Sequence, residues 1–109
     1  MNDEVTSQQQ VQGPGADTAL TQPDTDLVAA YLPPFRSLLS GMVSGGIRNL
    51  TLDLSAVKAI DSAGIGLLVS VHNSLRRAGG ELKLINVSRD MLALFQAMRI
   101  NQHFSISGH

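Results

Sequence analysis

Between residues 47 and 87 the hydrophobic period changes from two to about three and a half and back again, and few local architectures accommodate that. Leu50, Leu52 and Leu54 alternate with Thr51 and Asp53, which predicts a strand over residues 47–54. Residues 55–60 connect it to a helix. Gly64, Leu68, Val71, Leu75 and Ala78 step by four and three, one stripe along a helix over residues 63–78. Arg76 and Arg77 sit in its last turn, where cations suit the negative end of the helix dipole, and Gly79-Gly80 stops it. Leu82, Leu84, Ile85 and Val87 then predict a second strand. Strand, long helix and strand in succession imply parallel neighbours joined by a crossover, and so an α/β domain.

The flanks extend the same alternation. Pro33-Pro34 fits the first turn of a helix and no later position, so a helix is expected from about Pro34 to Val43, with Phe35, Leu38, Leu39 and Met42 at helical spacing. Residues 26–32 read as a separate preceding turn, and Gly45-Gly46 as the stop. Ser88 is placed to cap a third helix over residues 89–98, and residues 104–106 form a last short strand. Residues 1–23 read differently. Gln8-Gln9-Gln10 and Gly13-Pro14-Gly15 leave little to bury, so this segment is expected to be a polar, flexible tail, with only a weakly signalled strand at residues 19–21. The domain is expected over residues 24–109.

Composition narrows the function. At 109 residues the chain holds one small core, which excludes an enzyme with a separate substrate domain. It has no cysteine, so disulfides, thiolate metal sites and cysteine nucleophiles are impossible. No apolar run approaches the roughly 18 residues that cross a bilayer. No basic segment leads into an apolar one as in a secretory signal, so a cytoplasmic location is expected. Five acids and no Lys or Arg in residues 1–26 make −5, and four acids against eight Lys and Arg in residues 27–109 make +4. Those cations are scattered and not interleaved with aromatics, which argues against direct nucleic-acid binding.

The most informative segment is Ile60-Asp61-Ser62-Ala63-Gly64-Ile65-Gly66-Leu67-Leu68, where a loop enters the strongest helix. Asp61 or Ser62 caps it, with a side-chain oxygen accepting from a first-turn amide. Two glycines in the opening turns cost roughly 2 kcal/mol together relative to alanine. An element packed very close, or a partner approaching the backbone, would offset that. Ser62 places a hydroxyl at a helix amino end, where free amides and the dipole favour an anion. A phosphate there would add about −1.5 to −2 charges at one surface spot, the physics of a binding switch.

Leu52-Asp53-Leu54-Ser55, then Ile60 to Leu68, then Gly79-Gly80-Glu81-Leu82 together resemble the STAS domain of bacterial anti-sigma factor antagonists, over about residues 34–106. The resemblance implies a mixed, mostly parallel sheet flanked by helices, with no enzymatic activity and no cofactor. It implies binding to a serine kinase that doubles as an anti-sigma factor, release on phosphorylation, and resetting by a serine phosphatase. Ser62 matches the phosphoacceptor, with Asp61, Ala63, Gly64, Ile65 and Gly66 around it as the docking surface. The family opens with two strongly alternating strands, whereas here that region is Gln-rich. A first strand that is degenerate or supplied by another chain would leave a sheet edge open to homodimerisation. STAS domains also serve as scaffold subunits of signalling particles and beside transporters, the alternative function.

Other polar residues carry less. Asp53 stands opposite the leucines of its strand, as a receiver's phosphoacceptor does, but the start of the chain offers no acidic pair on an apolar strand and no lysine follows Lys83. It is expected to accept hydrogen bonds from the next loop. His72 borders an apolar stripe and is expected to pack. No third glycine follows Gly64 and Gly66 at Val69, so the dinucleotide fingerprint is absent, and His72 and His103 lack metal-ligand spacing.

Overall fold

The computed structural model describes residues 9–12, 17–100 and 105–108. Among these residues five strands form one sheet in chain order: β1 (Gln9–Gln12), β2 (Thr18–Gln22), β3 (Asn49–Asp53), β4 (Glu81–Val87) and β5 (Ser105–Gly108). β1 runs antiparallel to β2, and β2 to β5 are mutually parallel. Each parallel step is made by a helix: α1 (Leu32–Ser44), α2 (Ser62–Arg77) and α3 (Arg89–Ala97). Crossovers between parallel strands are right-handed, so three steps in one direction stack all three helices on one face of the sheet.

Burial along the strands agrees. Ala19 and Thr21 of β2, Leu50 and Leu52 of β3, and Leu82 and Leu84 of β4 are buried. They meet Phe35 and Leu39 of α1, Leu68 and Leu75 of α2, and Phe95 of α3 in a single core. The alternate positions form the other face. Leu20, Thr51 and Lys83 stand in register across it and are exposed or half-buried. The α/β class and mostly parallel sheet are as expected, except that the helices flank one side only.

The amino-terminal segment differs from expectation. Residues 9–12 and 18–22 are strands of the sheet, so ordered structure begins ahead of Asp24, and the first strand is supplied by this chain. The inward positions of β2 are Ala19 and Thr21, too small and too polar to give a strong alternating signal. The rest of the tail, residues 1–8 and 13–16, lies outside the described residues. α1 starts at Leu32, two residues earlier than the prolines predict, with Pro33 and Pro34 inside the first turn. A 3-10 turn at Ala29–Tyr31 precedes it. Its end is a glycine stop: Gly46 has φ +103°, and the Ile47 amide donates back to the Met42 carbonyl at 3.0 Å. Ser88 caps α3, its Oγ accepting from the Met91 amide at 3.2 Å.

Candidate functional site

The carboxyl ends of the parallel strands and the amino ends of the helices share one pole of the molecule, and the loops there are tied to one another. Leu27 forms an isolated parallel bridge with Ile60. Its amide donates to the Ala59 carbonyl at 3.0 Å, and its carbonyl accepts from the Asp61 amide at 3.2 Å. Asp26 adds a second tie, Oδ1 accepting from the Lys58 amide at 2.9 Å and the Ala59 amide at 3.2 Å. The loop after β2 and the loop before α2 therefore form one platform.

Asp61 closes it. As the cap of α2 its Oδ1 accepts from the Gly64 amide at 3.0 Å, while Oδ2 accepts from the Ala29 amide of the 3-10 turn at 3.0 Å. Its carbonyl takes the first intrahelical bond, from the Ile65 amide at 3.0 Å. The bond from Ala29 first, and that from Gly64 second, hold its carboxyl below the ordinary aspartate value of 3.8. The amino end of α2 is thus already occupied by an anion. The sequence allows either residue as the cap and leaves free amides for a phosphate. The structure assigns the cap to Asp61 and fills that place.

Ser62 is the first residue of α2 and is exposed. With Asp61 turned inward, the next hydroxyl along the chain is left for solvent. Of the other predicted docking residues, Ala63 and Asp61 are half-buried and Gly66 is exposed. Gly64 and Ile65 are buried, a correction to their place on a contact surface: they shape the face from beneath. A Cβ on Gly64 would run into the Leu27 carbonyl oxygen and come within 2.8 Å of Ile60 Cγ1, so only glycine lets α2 settle against the platform. Gly66 is different, because a Cβ there would meet nothing within 4 Å.

The remaining candidates resolve simply. Asp53 Oδ1 accepts from the Ser55 amide at 3.0 Å, a local turn bond of the loop that follows β3. His72 is buried in the inner face of α2, deeper than the sequence implies. Sequence reasoning missed Asp26, Leu27 and Ala29. Their partners lie 32 to 34 residues away, and the one local signal is the acidic Asp24-Thr25-Asp26 just ahead of an apolar run.

Residues 10–109 match the STAS domain family. The chain belongs to that family. Solved structures share this STAS fold. A Thermotoga maritima protein assigned as an anti-sigma factor antagonist superposes with a TM-score of 0.84 at 19% identity, covering 93% of this chain and 86% of its own. The Bacillus cell fate determinant SpoIIAA, in its phosphorylated form, gives 0.72 at 18% identity, covering 94% and 92%. The murine anion transporter Slc26a9 gives 0.69 at 20% identity, covering 84% of this chain but 16% of the transporter. No curated protein sequence matches the chain. No helix among the described residues is long and apolar enough to cross a membrane.

Proposed function

We propose that this STAS domain is an anti-sigma factor antagonist that works by partner switching, with Ser62 as its phosphoacceptor. Unmodified, it binds a serine kinase that is also an anti-sigma factor, and so frees the sigma factor. Phosphorylated on Ser62 it lets go, and a serine phosphatase restores it. The protein contributes no catalytic group to this cycle; it is a surface, read by others, and acts in the bacterial cytoplasm.

The observation that carries this reading is the division of labour between neighbours at the start of α2. Asp61 takes the helix end and fixes the loops, while Ser62 beside it stays exposed. A phosphate on Ser62 finds the cap position already taken by Asp61 and stands next to a carboxylate held ionised. It would therefore project outward, adding about −1.5 to −2 charges where a partner docks. Like charges brought together at an interface cost several kcal/mol, enough to release a partner. Gly66, exposed with open space above it, supports close approach of a partner's backbone on the same helix. Mass-spectrometric peptide mapping after incubation with the cognate kinase and ATP tests the assignment. Phosphate on Ser62 is expected, and phosphate on another residue overturns it.

The likeness to a transporter's STAS segment favours one second reading, a scaffold subunit of a larger assembly that is not itself phosphorylated. Size-exclusion chromatography with light scattering separates the two. A strict monomer at high concentration counts against self-assembly, including the homodimer through a sheet edge.

A further inference from the structure

We propose that the groove between α1 and α2 binds a small amphipathic carboxylate, with its carboxyl group on Arg36 and its apolar chain along the seam between the two helices. Such a site is independent of the partner-switching reading. The helices run side by side in the same direction, since each returns the chain between parallel strands. Leu39 of α1 and Leu67 and Val71 of α2 are buried beneath the seam. Long side chains ordinarily close the outer seam of a packed helix pair. Here the positions above it include Ser40, Ser44 and Ser70, all exposed, and a groove of about 270 Å³ stays open. That lies between the roughly 150 Å³ that holds a benzene ring and the roughly 300 Å³ at which pockets for drug-sized ligands begin, so the ligand is small.

Charge and shape select the ligand. Arg36 is exposed and is the one charged residue lining the groove. The ion pair among the described residues is Lys83 with Glu81, which leaves the Arg36 guanidinium to an incoming anion. Its planar fork of donors matches a carboxylate in bidentate fashion. The serine hydroxyls add donors along the rim. Ser74 Oγ accepts from Arg77 Nη2 at 3.4 Å, so its own hydrogen is left to donate. From Arg36 to Ser44 the groove follows α1 for about 12 Å, at roughly 1.5 Å of rise per residue. The floor along that length is aliphatic. A phosphate group would bring about −1.5 to −2 charges to a single cation and leave the floor without a partner. A monocarboxylate with a short apolar chain answers both the charge and the floor.

The test is an NMR titration of the isotopically labelled full chain with sodium hexanoate. Saturable shifts of the Ser40, Ser70 and Val71 amides are expected. Arg36→Gln, which removes the charge, is expected to weaken binding at least about tenfold. Ser70→Leu, which fills the seam, is expected to abolish it. Arg89→Gln, at an exposed cation that starts α3, is expected to leave it unchanged. Circular dichroism first shows all three variants folded. Absence of saturable shifts at millimolar hexanoate overturns the site, as does undiminished binding in Arg36→Gln. Equal affinity for hexan-1-ol would show that no carboxylate is read, and equal affinity for inorganic phosphate would show a simple anion contact; either overturns the proposal. If the same amides shift with protein concentration alone, the groove belongs to a second copy and the proposal falls.

Discussion

Gly64 and Gly66 stand two positions apart in α2, yet their surroundings are opposite. Gly64 has the Leu27 carbonyl where a Cβ would be, and Gly66 has empty space. Both weaken the helix by roughly the same intrinsic amount, so alanine at each position separates packing from propensity. Gly66→Ala is expected to stabilise the domain by about 1 kcal/mol. Gly64→Ala is expected to destabilise it by about 1–3 kcal/mol through overpacking against the backbone. Urea unfolding of the two variants reads both. Asp61 makes a second prediction. Its folded pKa lies below the ordinary 3.8, so its contribution to stability is full above that value and fades as the pH falls through the lowered one. The gap in urea midpoint between wild type and Asp61→Ala should be widest at about pH 7 and narrow toward about pH 2.5. A gap that widens in acid would contradict the clamp.

Among the elements, legibility in the sequence followed how much apolar contrast each one carries. α2 and β4 were plain because leucines mark their inward positions and polar residues the outward ones, and the double-glycine stop between them is sharp. Gly79 has φ +89°, and Gly80 packs on the Arg48 carbonyl with no room for a side chain, so both glycines answer to geometry. α3 was found from its apolar stripe and its Ser88 cap, which makes Ser88→Ala a clean check. Losing the bond to Met91 should cost about 1 kcal/mol, read as a lowered urea midpoint with an unchanged slope. β1 and β2 were obscure for a physical reason. One is a glutamine-rich edge, and the other faces the core with an alanine and a threonine, so neither breaks from the composition of a loop. At the site, Ser62 and its cap were legible because capping is local. The ties from Asp26, Leu27 and Ala29 join residues far apart in the chain, and no periodicity encodes them.

Taken whole, the molecule is a one-sided sheet whose three helices point their amino ends at the same pole as the strand-end loops. That pole is tied together before any partner arrives, since hydrogen bonds from Asp26, Leu27 and Asp61 already join its loops. Charge added at Ser62 therefore has little to reorganise inside the domain and acts on what sits outside it. Stability should barely register the change, within about 0.5 kcal/mol for an exposed site, while affinity registers it fully. The decisive measurement is calorimetric titration of the purified kinase partner against the unmodified protein, Ser62→Ala and the Ser62-phosphorylated form, with thermal unfolding of each alongside. Near-identical binding by the first two, a loss of about a hundredfold in the third, and three matching unfolding curves are the predicted result. Equal affinity before and after phosphorylation, or a phosphorylated domain that binds weakly only because it has begun to unfold, would contradict it.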